Sequence, residues 1–250
     1  MSNVLWQPSA DIDTLRERAV IIRRIRDDVI LEYGIGYATG EISDSLGDRK
    51  YSLFYLPIEG TIDRRDDAFD PTSGYYANLS IAPFIGVNGT DDGTRIVGDG
   101  RIYRSFGQDD GVTLALRGQL GSILGADAAN VPSSYLFFSG GGGTVRGQSY
   151  QSLAVDLGGG NEIGGTAFFA AQLEARVDVT DTIGVVGFYD TGFVGADDVP
   201  FDNGEWHAGA GLGLRYDTGI GPIRLDLATP TTGANAGQRL EVYLGIGQAF

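Results

Sequence analysis

Apolar and polar side chains alternate with a period of two along most of this chain, the signature of strands with two unlike faces. From Tyr75 to Val87 the odd positions read Tyr75, Ala77, Leu79, Ile81, Pro83, Ile85 and Val87, opposite Asn78, Ser80 and Gly86. From Val112 to Leu124 the apolar residues Val112, Leu114, Leu116 and Leu120 oppose Thr113, Arg117 and Gln119. The pattern is sharpest between Ala167 and Val179. There Phe169, Ala171, Leu173, Ala175 and Val177 share one face, and Gln172, Glu174, Arg176 and Asp178 share the other. The alternation, ended by Gly, Pro, Asn or Asp, predicts eleven strands: 12–24, 28–40, 51–64, 75–87, 95–107, 112–124, 166–179, 184–194, 207–217, 222–229 and 239–250.

Most of these segments exceed the ~5–6 residues usual in globular sheets and match the ~9–11 of a tilted membrane-spanning strand. Predicted connections alternate in length. Short ones fall near 26–27, 107–111, 180–182 and 218–221, and longer ones at 41–50, 88–94, 125–165, 195–206 and 230–238. Short turns on one rim and long loops on the other characterise outer-membrane barrels. The connection 65–74 breaks the rule, because it is long on the short side. Alternation alone leaves a soluble β-sandwich open, since that fold also has one apolar and one polar face. The fold expected is all-β, an antiparallel transmembrane barrel in one unit over 1–250 with a long loop at 125–165.

Composition narrows the function. Forty glycines in 250 residues suit a turn-rich β-protein, and a net charge of −15 disfavours nucleic acid as a partner. With no cysteine and one histidine, His207, thiolate and His-rich metal sites are excluded. The longest uncharged run, Ala128–Val145, contains Pro132 and four consecutive glycines and is no membrane helix. Residues 1–11 lack a basic start and an apolar core, so no secretory signal is read there.

The loop 125–165 is too long for a plain connection, and such loops usually carry function. At its centre, Gly140–Gly143 precede Thr144-Val145-Arg146-Gly147-Gln148. Folded into a lumen, this loop could set Arg146 against the inward carboxylates Glu174 and Asp190 through charge-assisted bonds; a solvated Arg146 on a mobile loop is the alternative. Catalysis finds little support: His207 follows Asp202 and Glu205, but no Gly-x-Ser-x-Gly elbow is present. Thr144-Val145 stands where a phosphate loop needs Lys-Ser/Thr. The pairs Asp91-Asp92, Asp109-Asp110 and Asp197-Asp198 could ligate Ca²⁺ but read as solvated loop charges. No enzyme activity, cofactor or metal is expected.

The run from Phe137 to Leu153 resembles the lumen loop of the BamA/TamA superfamily of outer-membrane assembly and translocation barrels, the bacterial surface antigen family. Four further matches follow in order. Asp63-Arg64-Arg65-Asp66-Asp67 through Asp70-Pro71-Thr72-Ser73-Gly74 resembles the family's periplasmic turn, which accounts for the long connection. Leu173–Arg176 resembles its acidic strand motif, and Phe188–Gly192 its paired-aspartate motif. Gly219–Asp226 with Gly245–Phe250 resembles its terminal hairpin. The Gly-Gly-Gly-Gly-Thr-Val-Arg-Gly run and the Gly-Gln-Ala-Phe ending are most similar to TamA-type members. Gln148 departs from the aromatic usual after Arg-Gly, and Gln248 from the apolar residue usual two before the end.

The resemblance implies a sixteen-stranded barrel behind periplasmic POTRA domains, of which this chain would be the last eleven strands. It implies a lumen-loop anchor of Val145, Arg146, Gly147, Glu174, Asp190 and Gly192. It implies a periplasmic turn built on Asp63, Arg65, Asp66, Pro71, Thr72 and Gly74. Gly245, Gly247 and Phe250 would form the assembly signal and a weak seam. Bond chemistry is not implied: client strands would pair at a laterally opening seam. Implied partners are outer-membrane lipid, client outer-membrane proteins such as autotransporters, and a TamB-type inner-membrane protein. A BamA-type insertase, a two-partner secretion transporter and a passive pore remain open.

Overall fold

The computed structural model describes residues 11–44, 46–107, 111–158, 161–198, 201–233 and 235–250, with backbone alone for 11–17. Twelve of its strands form one antiparallel sheet that curls around a filled interior. In chain order they are β1 (Asp11–Arg26), β2 (Val29–Asp44), β3 (Gly47–Tyr55), β4 (Ile58–Asp63), β5 (Gly74–Val87), β6 (Gly93–Phe106) and β7 (Val112–Leu124). A small hairpin, β8 (Val155–Gly158) and β9 (Asn161–Ile163), interrupts the series. The sheet resumes with β10 (Ala167–Asp178), β11 (Ile183–Gly195), β12 (Gly204–Tyr216), β13 (Ile223–Pro230) and β14 (Glu241–Ile246).

Each main strand pairs with its sequence neighbours, β7 with β10 across the long loop. β3 and β4 together occupy one position, so the sheet has the eleven places expected. Pro57 separates them, because proline brings no N–H to the ladder; instead the Pro57 carbonyl accepts the Gly34 N–H at 3.0 Å. The expected strand 51–64 is therefore two. The expected loop 41–50 is a tight hairpin, since β2 runs to Asp44 and β3 starts at Gly47. The last strand is shorter than expected: β14 stops at Ile246, and Gly247 turns the chain at φ +82. Among the described residues β1 and β14 form no ladder with each other.

The side-chain distribution separates the two sheet readings that alternation left open. The apolar face points outward to solvent in isolation, with Leu116, Leu173, Leu212 (73% exposed) and Leu244 (76% exposed) among many. The polar face points inward: Arg117, Gln172, Glu174, Arg176, Asp190, Arg215 and Asp226 are all buried. A soluble sandwich buries its apolar face. The inverse arrangement is that of a barrel solvated by lipid outside, and no helix among the described residues is long and apolar enough to span a membrane.

The interior is filled by the long loop. After short 3-10 turns at Ala128–Asn130 and Ser133–Tyr135 it dives inward. Val131, Leu136, Phe137, Val145 and Leu153 then join one buried cluster with Leu53, Phe84, Ile123 and Phe168 of the wall. Single backbone bridges, Phe137 to Gly165 and Ser139 to Leu153, tie the loop's two limbs.

Candidate functional site: a lumen loop held by buried ions

Between its apolar limbs the loop tightens into a turn that places Arg146 against β10, β11 and β13. Thr144 Oγ1 accepts the Gly140 N–H at 2.8 Å, and the Gly141 N–H is shared between the carbonyls of Val145 and Gln148. Gly140 (φ +101), Gly141 (φ +88) and Gly147 (φ +91) hold left-handed conformations here, the use for which the glycine run is suited. Arg146 is 1% exposed. Its Nε and Nη2 donate to the two oxygens of Asp190 at 2.7 and 2.9 Å, and its own backbone N–H adds a third bond at 3.0 Å. Nη1 donates to Glu174 Oε1 at 2.6 Å and reaches Asp226 Oδ2 at 3.4 Å. The guanidinium lies 3.6 Å from the centroid of the Phe188 ring, a stacked cation–π contact.

Arg146, Arg176 and Arg215 face Glu174, Asp190 and Asp226, and all six are buried. Buried charges persist when paired and hydrogen-bonded, and the fork-shaped, permanently charged guanidinium can grip Asp190 with two nitrogens while a third faces Glu174 and Asp226. The neighbouring backbone gives way to admit the loop. A Cβ at Gly209 of β12 would strike the Arg146 carbonyl. One at Gly192 would lie 2.7 Å from Val145 Cγ2, and one at Gly147 would press on Thr229. Arg117 grips the other flank, donating to the Gly143 carbonyl at 3.3 Å while bonded twice to Asp99. Tyr243 of β14 accepts the Gly147 N–H at 3.0 Å.

Of the residues expected in the loop anchor, Val145, Arg146, Gly147, Glu174, Asp190 and Gly192 come together at one place. Gln148 replaces packing by hydrogen bonding: its Nε2 donates to the Ala208 carbonyl at 3.2 Å. Sequence reasoning missed Asp226, Arg215, Gly209 and Tyr243. The signal available was inward parity, since Gly209, Gly211, Gly213 and Arg215 share one face of β12.

The turn 64–73 is a second built structure. Arg65 donates twice to Asp63, at 2.9 and 2.6 Å, and stands 5.1 Å from the Tyr76 ring. Asp66 accepts the Thr72 hydroxyl and the N–H groups of Thr72 and Ser73. Burial raises its carboxyl, but those bonds outweigh it and hold the group below the usual aspartate range. The N–H groups of Asp70 and Phe69 likewise lower Asp67. Gly74 (φ +94) packs where a Cβ would meet the Arg64 carbonyl.

The chain's end returns to this turn. Gln248 donates its N–H to the Phe69 carbonyl at 2.8 Å and its Nε2 to Asp70 at 2.9 Å. Phe250 is buried inside the barrel, 6.4 Å from the Tyr103 ring and packed with Ala115. Gly245 leaves room for the inward Arg224: a Cβ there would stand 2.9 Å from its Nε. The remaining candidates carry no comparable site. His207 stands 3.5 Å from an exposed Glu205. Asp91 accepts the N–H of Asp127 and Asp92 that of Gly86 at the end of β5. Asp109-Asp110 lies outside the described residues.

The description of the Omp85 superfamily domain matches residues 12–250. Among solved structures, BamA from Haemophilus ducreyi lacking POTRA domains 1–3 superposes with a TM-score of 0.75 at 18% identity, covering 94% of this chain and 53% of that one. CdiB from Acinetobacter baumannii superposes at 0.61 with 13% identity, covering 92% and 40%. The chain thus spans about half the length of the solved structures it matches.

Proposed function

The chain belongs to the Omp85 superfamily of bacterial outer-membrane barrels, which insert or transport proteins, and from that premise we propose that it serves as the C-terminal barrel portion of a TamA-type translocation and assembly module. Its clients would be outer-membrane proteins such as autotransporters, handed over with a TamB-type inner-membrane partner. The observation that carries this reading is the lumen loop clamped by Arg146 beside a short, glycine-bearing last strand. A passive pore has no use for a loop that fills its channel, whereas an insertase needs a closed lumen and an edge that opens. β14 suits such an edge: it is six residues long, carries Gly245 and stands next to Gly247, so its pairing across a seam would be short and weak enough to yield to a client strand. The anchor (Val145, Arg146, Gly147, Glu174, Asp190, Gly192), the turn (Asp63, Arg65, Asp66, Pro71, Thr72, Gly74) and the seam residues (Gly245, Gly247, Phe250) are assigned those roles in this proposal.

Depletion of the full-length protein in its source bacterium tests the reading. Surface levels of autotransporter passengers should fall while a trimeric porin keeps its level. A fall of both would replace it by a BamA-type general insertase. Loss of a single secreted exoprotein, with membrane proteins untouched, would make it a two-partner secretion transporter.

A further inference from the structure

Two carboxylates in the loop anchor are shared with a second structure at the opposite end of the barrel. Asp190 serves Arg146 alone among the arginines bonded here. Glu174 divides its oxygens: Oε1 takes Arg146 at 2.6 Å, and Oε2 takes Arg176 Nε at 2.9 Å. Arg176 then spends its other nitrogens on the chain's end and the turn, donating to the Phe250 carbonyl at 3.2 Å and the Pro71 carbonyl at 3.1 Å. Its guanidinium also lies 5.7 Å from the Phe250 ring centroid and 5.6 Å from that of Tyr103. Asp226 repeats the arrangement. Oδ2 faces Arg146 at 3.4 Å, and Oδ1 takes Arg215 Nη1 at 2.6 Å. Arg215 Nε in turn donates to Gln248 Oε1 at 2.7 Å.

We propose that Glu174 and Asp226 join docking of the lumen loop and docking of the C-terminal tail 247–250 into one coupled equilibrium, with Arg176 and Arg215 as the positioning residues that transmit it. The reasoning is electrostatic. Removing one member of a buried, hydrogen-bonded charge set leaves the others uncompensated, and the set rearranges to repair the loss. If Arg146 withdraws, Glu174 Oε1 is bare. Arg215 Nη2 stands 4.0 Å from that oxygen and has no hydrogen-bond partner of its own among the described residues. Its swing toward Glu174 draws Nε away from Gln248, and the tail loses one of its two side-chain ties. In the reverse direction, a tail that leaves strips acceptors from both Arg176 and Arg215, which then compete with Arg146 for the same carboxylates. Coupling of this kind is reciprocal by thermodynamic necessity. Its consequence for the seam rests on the function proposed above, but the coupling itself does not.

These 250 residues contain no cysteine, and the full-length parent without the added thiol, labelled in parallel, supplies the background. Ala249→Cys places a single thiol in the tail, beside the buried Tyr103, Ala115 and Phe250 cluster. In outer membranes containing the full-length protein, its labelling rate by a soluble maleimide reports tail release. Cleavage by added protease within 139–150 reports loop release. Adding Arg146→Ala should raise the labelling rate by roughly 5- to 150-fold, the range of ordinary coupling energies. Gln248→Ala, which removes no buried charge and should leave the barrel assembled, should raise loop cleavage. Loop cleavage that rises in Arg146→Ala with labelling unchanged overturns the proposal, and so does unchanged loop cleavage in Gln248→Ala. Both readouts are independent of clients, so a wrong client class from the depletion experiment leaves the coupling standing.

Discussion

The lumen loop is held by two unlike halves of the barrel. Its limbs, around Phe137 and Leu153, rest in an apolar cluster against β2, β3, β5, β7, β10 and β11. Its tip, Arg146 to Gln148, rests on ions and hydrogen bonds from β10 to β14. Apolar burial is non-directional and roughly proportional to area, so the first half tolerates any filling of similar volume. The second half depends on donor and acceptor count. Arg146 uses three side-chain nitrogens against three carboxylates, and each loss strands a buried charge. One half supplies adhesion and the other supplies position: the apolar cluster keeps the loop inside, and the ions fix where its tip sits.

Isosteric substitutions break this comparison most sharply. Asp190→Asn changes almost no volume but removes the charge that Arg146 meets with three bonds, and should cost about 3–5 kcal/mol. Equilibrium unfolding of the full-length protein in detergent, with protease sensitivity of 139–150, would measure it. A cost under ~1 kcal/mol would mean that Glu174 and Asp226 suffice and the ionic half is redundant. Gly209→Ala comes next. The added methyl meets the Arg146 carbonyl, a backbone atom that cannot rotate away, so the loop tip must shift at a cost of about 1–3 kcal/mol. Leu153→Met in the apolar half should cost less than about 1.5 kcal/mol and leave loop cleavage unchanged. If it opened the loop as widely as Asp190→Asn, the division between adhesion and position would fail.

What could be read from the sequence divides along the same line. Strand positions were legible because lipid-facing leucines and inward polar groups alternate without interruption, as Leu173 and Glu174 do. The residues alone offered the Arg146, Glu174 and Asp190 contact beside a solvated Arg146, and it was the resemblance of the Phe137–Leu153 run that implied the anchor. Asp226 was not legible, since it lies 80 residues from Arg146 and only the curvature of the sheet brings it across. The end of β14 was misread for a different reason. Alternation continues through Gly247 on paper, but a glycine at φ +82 leaves no trace in a hydrophobicity pattern. Pro57, unable to donate inside 51–64, was a signal that the alternation passed over.

Acid sharpens the comparison in its mildest form, because the turn 64–73 is an ionic structure at the surface rather than in the wall. Asp66 is exposed, and bonds from Thr72 and Ser73 hold its carboxyl below the usual aspartate range despite the opposing effect of burial. A depressed carboxyl contributes stability fully above its unfolded value, ~3.9 for aspartate, and loses it as the pH falls through the folded value. Between pH 7 and about 5 the turn should therefore keep its amide exchange protection, and below about 4 the protection at Thr72 and Ser73 should fall. Asp66→Asn should abolish this acid response and lower protection at neutral pH, since the charged acceptor is gone. Loss of protection already between pH 7 and 5 in the parent protein would show that these bonds do not hold the carboxylate. The effect on loop cleavage should be smaller than on the turn itself, because the turn reaches the ion set indirectly, through the Pro71 carbonyl on Arg176 and through Phe69 and Asp70 on Gln248.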